Sequence, residues 1–120
     1  MSYALITGAS SGIGRCYAIE MAKRGYNIVA VSNQPQQLDE VAHQITSDYG
    51  VEVVTIAIDL ASEGAAKRIF DTCNASGYDV EVLICNAGML LFSTLTRTSP
   101  ESLNTIIALH CTTTTLLCRY

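Results

Sequence analysis

Short apolar runs alternate with helical periods along the chain. The runs Tyr3 to Thr7 (YALIT), Asn27 to Ser32 (NIVAVS), Val53 to Asp59 (VVTIAID) and Val80 to Cys85 (VEVLIC) are rich in Val and Ile and bounded by polar or small residues. Apolar stretches of this length predict buried parallel strands. Between them the apolar positions recur at helical spacing. From Gly12 onward, Gly14, Ala18, Met21 and Ala22 share a face, and Gly25 closes that helix. Leu38, Val41, Ala42 and Ile45 form a second face, with Pro35 in the first turn, and Ala66, Ile69, Phe70 and Cys73 form a third. The last helix opens on Ser99-Pro100-Glu101: Ser as N-cap, Pro at the first helical position, Glu near the positive end of the dipole. Its predicted face is Leu103, Ile106, Ile107, His110, Thr114 and Leu117.

The order βαβαβαβα predicts a parallel sheet with helices on both faces, an α/β fold of the doubly wound Rossmann type. Four strands are fewer than the six of a complete dinucleotide fold. The last helix runs through LLCRY with neither a Gly cap nor a Pro. The expectation is therefore a single, incomplete domain over residues 1–120, truncated after four strands and four helices. In such a segment the fourth strand is a sheet edge and part of the last helix is uncovered, which predicts self-association or marginal stability.

Composition narrows the class. Hydrophobic residues make up 49% and charged residues 15% of the 120, with a net charge of −4. That is too apolar and too weakly charged for a disordered chain. A sequence pI near 4.9 argues against a phosphate-reading nucleic-acid binder. No run approaches the roughly 20 apolar residues of a membrane span, and MSYALITGAS lacks the pattern of a signal peptide. Cys16, Cys73, Cys85, Cys111 and Cys118 are odd in number and contain no CxxC pair. They predict neither a zinc site nor a disulfide framework, and no metal is expected. A cytoplasmic location fits them. Cys111 and Cys118, seven apart on the last helix, read as packing residues.

The first strand runs directly into TGASSGIG, Thr7 to Gly14, which opens a helix. A loop in that position must turn sharply and bring backbone N–H groups to a pyrophosphate, and the helix N-terminus favours the negative charge. Gly14, facing the sheet, allows close helix packing. No GK[ST] follows, so the loop is not a P-loop. The competing reading is a tight turn with no ligand; the strand-to-helix context favours a dinucleotide.

These residues resemble the short-chain dehydrogenases/reductases. TGASSGIG matches their TGxxxGxG motif, Asn86-Ala87-Gly88 after the fourth strand their NAG motif, and Asp59-Leu60 their acidic position after the third. The stretches GRCYAIEMAKRGYNIVAVS and VVTIAIDLAS resemble the branch reducing 3-oxoacyl thioesters and 17-ketosteroids. The likeness spans the whole chain but only the N-terminal half of a usual member. It implies that an NAD or NADP pyrophosphate lies on the loop of Gly8, Gly12 and Gly14, with Ser10, Ser11 and Ile13 contacting it or its ribose. Asp59 would bond the adenine amino group and Leu60 line the adenine pocket; the alternative for Asp59 is an acid that starts a turn. Asn86, Ala87 and Gly88 would lie under the nicotinamide-side ribose, with Asn86 also tying adjacent strands.

Cofactor choice is read at the end of the second strand, where an acid selects NAD. Ser32, Asn33 and Gln34 stand there, with Arg15 nearby on the first helix, and they favour NADP. Ser11 replaces the Arg or Lys of many NADP-using relatives. His110 occupies the position where the family carries an Asn that holds a helix kink and a water of the proton relay. It is either a catalytic substitute or a histidine satisfied on an apolar face. The Thr112 to Thr115 run is a poor helix former whose hydroxyls can bond back to the preceding turn.

The family's general acid is a Tyr followed four residues later by a Lys, with a Ser beside them. The residues four after Tyr3, Tyr17, Tyr26, Tyr49 and Tyr78 are Thr7, Met21, Ala30, Val53 and Val82, and Tyr120 is last. The catalytic Ser, Tyr and Lys are thus absent, and this chain is not expected to reduce a ketone alone. The resemblance implies a parent oxidoreductase acting on a small-molecule carbonyl or alcohol, as a homo-oligomer, without nucleic acid or membrane. The alternative is a non-catalytic dinucleotide-binding sensor or scaffold.

Overall fold

The structure, a computed structural model, describes residues 2–88 and 94–120. β1 (Tyr3–Thr7) leads to α1 (Gly12–Lys23), β2 (Asn27–Ser32), α2 (Pro35–Tyr49), β3 (Val53–Ala57), α3 (Ala65–Ala75) and β4 (Val80–Ile84). A 3-10 turn (Leu95–Arg97) precedes α4 (Pro100–Ile107), a π-helical turn (Ala108–Thr113) and α5 (Thr114–Arg119).

Among the described residues the strands form one parallel sheet ordered β3-β2-β1-β4. β1 pairs β2 from Tyr3 opposite Asn27 to Thr7 opposite Val31, and pairs β4 with Ile6 opposite Ile84. The chain winds outward from β1 through β2 to β3, then crosses to the other side of β1 for β4. This reversal leaves a crevice beyond the carboxyl ends of β1 and β4, where open α/β sheets bind ligands.

β1 and β2 are buried on both faces, which is why they read as unbroken apolar runs. Alternate residues serve the two faces. Ala4, Ile6, Ile28 and Ala30 meet Ala18 and Ala22 of α1 and Leu38, Val41 and Ile45 of α2. Tyr3, Leu5, Val29 and Val31 meet Ala66, Ile69 and Cys73 of α3, Leu60, and Leu117 of α5. Each Ile or Leu fully buried in this way contributes about 1.5–3 kcal/mol. Gly14, Ala18 and Ala22, four apart, are the buried face of α1, and their small size brings its axis close to the sheet.

Three sequence expectations shift. β3 ends at Ala57 and β4 at Ile84, so Asp59 and Cys85 lie beyond the strands. The turn after β3 is closed by Asp59, whose Oδ1 accepts the Ala61 N–H at 2.9 Å. Phe70 flanks the buried stripe of α3 rather than joining it, is 38% exposed, and stacks on Tyr120 with ring centroids 4.9 Å apart. The last helix begins as expected: Ser99 Oγ accepts the Ser102 N–H at 3.1 Å, with Pro100 in the first turn. It is not continuous, however. The π-helical turn changes the phase, so Thr113 and Leu117 are buried while His110 and Ile107 are exposed.

Candidate functional site

The crevice is a cavity of about 540 Å³, open to solvent at the carboxyl ends of the strands. Gly8, Ser10 and Ser11 form one wall; Ser32, Asn33 and Gln34 the second; Ile58, Asp59, Leu60 and Ala61 the third; Asn86, Ala87 and Gly88 the floor. Thr105 and Leu109 close it from the last helical segment. A volume of this order suits a small-molecule or cofactor site.

The glycine loop is shaped by contacts that exclude side chains. Gly8 has φ +69°, and a Cβ there would stand 2.9 Å from Asn86 Nδ2 and 3.0 Å from Ala87 Cα. At Gly14 a Cβ would stand 2.0 Å from the Gly8 carbonyl oxygen and 2.6 Å from Asn86 Nδ2. Loop, helix and the end of β4 therefore meet at a joint that tolerates no Cβ. Gly8 and Ala9 donate to the Val31 carbonyl, and Ser10 and Ser32 share a buried hydroxyl hydrogen bond of 2.8 Å, tying the loop to β2. The mouth of α1 carries no acidic residue in its first turn and no side-chain cap, so its N-terminal N–H groups and the positive end of its dipole face an incoming anion unneutralised.

The floor depends on Thr7. Its Oγ1 accepts both the Asn86 N–H and the Ala87 N–H, each at 3.0 Å. Asp59 lines the crevice and also starts the turn after β3. The Leu60 carbonyl accepts a hydrogen bond from the buried Thr113 hydroxyl, which links that wall to the π-helical turn. Thr114 Oγ1 bonds back to the Leu109 carbonyl at 3.4 Å, the local bonding expected of the Thr run. His110 lies over Gly88: a Cβ on Gly88 would stand 2.8 Å from His110 Cε1.

Of the residues singled out from sequence, Gly8, Ser10, Ser11, Asn33, Asp59, Leu60, Asn86, Ala87 and Gly88 line one cavity. Gly12, Ile13 and Gly14 stand outside that lining: Ile13 is 69% exposed at the start of α1, and Gly14 is buried beneath the loop. His110 touches the floor from behind Gly88. Thr105, Leu109 and Thr113 were missed. Their spacing of four, continued to Leu117, is the only local signal, and it competes with the apolar positions of an ordinary helix.

Beside the crevice, a hollow is lined by Ser10, Ser11, Arg15, Gln37, Glu40 and Gln44. Arg15 donates through Nη2 to Gln44 Oε1, while its Nε is buried with no partner among the described residues. An unmet buried donor costs about 1–3 kcal/mol, which an anion would relieve. Among the described residues no cluster of metal ligands occurs, and no helix is long and apolar enough to cross a membrane.

The short chain dehydrogenase family model matches residues 2–120. Curated relatives include the very-long-chain 3-oxoacyl-CoA reductase of Bos taurus, 43% identical over 89 residues, covering 72% of this chain and 27% of that protein. The protein of the same name from Pyrenophora tritici-repentis is 37% identical over 117 residues, covering 94% and 34%. Among solved structures, L-sorbose reductase from Gluconobacter frateurii, complexed with NADPH and L-sorbose, superposes with a TM-score of 0.92 at 30% identity, covering 98% of this chain and 45% of that one. A bulky-bulky ketone specific alcohol dehydrogenase from Comamonas testosteroni gives 0.91 at 31% identity, covering 99% and 47%. The chain thus spans about a third or less of these curated relatives and about half of these solved ones.

Proposed function

The chain belongs to the short chain dehydrogenase family, and on that premise we propose that it is the dinucleotide-binding part of an NADP-dependent reductase of carbonyl compounds, with 3-oxoacyl thioesters as the favoured substrate class. The observation that carries this reading is the crevice at the β1/β4 reversal, floored by Asn86-Ala87-Gly88 and walled by the glycine loop. The residues fit the cofactor. The uncapped mouth of α1 suits a pyrophosphate, and a Cβ on Gly12 would meet nothing within 4 Å, so the space above the loop is open to a ligand. Gly8, Ser10, Ser11, Gly12 and Ile13 would hold the pyrophosphate side, Asn33, Asp59 and Leu60 the adenosine, and Asn86, Ala87 and Gly88 the second ribose. When bound, the cofactor supplies or accepts a hydride.

The wall Ser32-Asn33-Gln34 has no carboxylate to repel a 2′-phosphate, and the unmet Arg15 Nε lies at the neighbouring hollow. Both support NADP over NAD. His110, whose ring lies against Gly88, would orient that floor. The 3-oxoacyl preference rests on curated relatives of that name and on the stretches GRCYAIEMAKRGYNIVAVS and VVTIAIDLAS. Exposed Ile107, Leu116 and Tyr120 support a homo-oligomer, and five free cysteines support a reducing compartment such as the cytoplasm.

Titration of the chain with NADPH and NADH by fluorescence tests the reading. NADPH is expected to bind more tightly by about tenfold, or about 1.4 kcal/mol. NADH binding more tightly by that factor overturns the NADP assignment, and no binding of either overturns the dinucleotide site. Because no Tyr is followed four residues later by Lys, binding is expected without turnover of any ketone by the chain alone.

A further inference from the structure

Thr105, Leu109, Thr113 and Leu117 stand four apart in the last helical segment. Thr105 and Leu109 line the crevice, while Thr113 and Leu117 are buried. In an uninterrupted α-helix a spacing of four turns a stripe by about 40° per step, so its two ends would face different directions. The π-helical turn over Ala108–Thr113 is wound more widely, through i→i+5 bonds, and takes up part of that drift. It also redirects a hydroxyl. A Thr inside an α-helix commonly bonds back to the carbonyl four residues earlier, which for Thr113 is that of Leu109. Here the Leu109 carbonyl accepts from Thr114 Oγ1 at 3.4 Å, and Thr113 donates instead to the Leu60 carbonyl. Thr113 is 5% exposed and Leu60 6%, so neither can readily exchange this bond for one to bulk water. The turn after β3 is closed locally, with Asp59 Oδ1 accepting the Ala61 N–H at 2.9 Å and the Asp59 carbonyl the Ser62 N–H at 3.0 Å. Thr113 ties that turn to the last helical segment. Leu60 and Leu117 belong to one core cluster.

We infer that Thr113 is a positioning residue of the crevice. By holding the Leu60 carbonyl it fixes the wall of Asp59, Leu60 and Ala61 against the segment that carries Thr105 and Leu109, and so sets the spacing of two walls around the adenosine half of a dinucleotide. The ligand rests on the dinucleotide reading; the coupling rests on the hydrogen bond alone. Thr113 is not among the residues that line the crevice, and it acts through Leu60. Removing its hydroxyl leaves a buried carbonyl without this donor and frees the two walls to part.

Nucleotide titration and hydrogen exchange on the full chain test the inference, with NADPH and 2′,5′-ADP as probes. Thr113→Val keeps the shape of the side chain and removes the donor. Thr113→Ser keeps the donor and removes a methyl group. Thr113→Val is expected to weaken NADPH and 2′,5′-ADP alike, by about tenfold, and to speed amide exchange at both 60–62 and 109–113. Thr113→Ser should restore affinity and exchange to near the wild-type values. Ile45→Val, in the core on the opposite face of the sheet, should lower the urea midpoint and leave affinity for both probes unchanged. Equal weakening in Thr113→Ser and Thr113→Val overturns the inference. So does a loss of NADPH affinity with 2′,5′-ADP unaffected, or faster exchange in only one of the two segments. Failure of the wild-type chain to bind either probe overturns the dinucleotide reading instead. Exchange then decides the coupling: both segments must speed together in Thr113→Val and recover in Thr113→Ser, and any other pattern removes it.

Discussion

On one side of β1, β2 is buried at all six of its positions, and α1 and α2 press small and branched side chains onto it. The loop that serves the crevice from that side is tied down within a short stretch of chain, through the Val31 carbonyl and the Ser10–Ser32 hydroxyl pair. On the other side of β1, β4 is only half-buried and forms the sheet edge. Its covering helix is broken by a π-helical turn, and large apolar groups such as Ile107, Leu116 and Tyr120 stay exposed. The floor of the crevice on that side hangs on contacts between distant residues: Thr7 to Asn86 and Ala87, and Thr113 to Leu60. The glycine-loop side is thus held by ties to the adjacent strand β2. The Asn86–Gly88 side is assembled by contacts across longer stretches of chain, and few buried contacts per element mean low local stability.

The largest expected effect comes from breaking the joint between the two sides. Gly14→Ala would force a Cβ against the Gly8 carbonyl and the Asn86 amide. Neither a backbone carbonyl nor a packed amide can yield cheaply, so a loss of about 3 kcal/mol or more is expected in urea denaturation. Stability within about 0.5 kcal/mol of wild type would show that loop and floor are not locked together.

A smaller effect separates the sides without disturbing the glycine loop. Thr7→Val keeps the shape of a buried side chain but removes the acceptor of two N–H groups. The expected cost is about 2 kcal/mol, with faster hydrogen exchange at Asn86 and Ala87 and no change at Gly8 and Ala9. Equal acceleration at all four amides would mean that the two sides open as one unit.

The smallest effect at neutral pH concerns the firmer side. Tyr3 donates to Glu52 at 2.5 Å, and this bond, with burial, holds the phenol up to about 12 from 10.0. The folded value lies above the unfolded one, so the stabilisation is fully present below about pH 10 and is lost as pH rises through about 12. Tyr3→Phe has no proton to lose. Its urea midpoint should therefore stay flatter over that window than that of wild type, and parallel curves would remove the bond from the account.

Much of this was legible along the chain because it is local. The β1 and β2 boundaries, the α2 face and the Ser99 cap each follow from residues within a few positions of one another. Asp59, Leu60 and the 86–88 turn were placed by motif, and the structure gathers them around one cavity with the glycine loop. The phase of the last helix was not legible. A run of Thr residues has weak helical preference, and the hydroxyl of Thr113 found its partner on Leu60, 53 residues away. That bond favours a face through Thr113 and Leu117 instead of His110 and Thr114.

By itself, then, the sequence determined the order of elements, the glycine loop between β1 and α1, and the family. Periodicity and steric need for glycine act over a few residues, so they are written into neighbouring positions. Tertiary structure decided which strand lies beside β1 and how the last helix is phased. Those outcomes depend on pairings between residues tens of positions apart, where packing and hydrogen-bond satisfaction choose among arrangements that local pattern leaves equal.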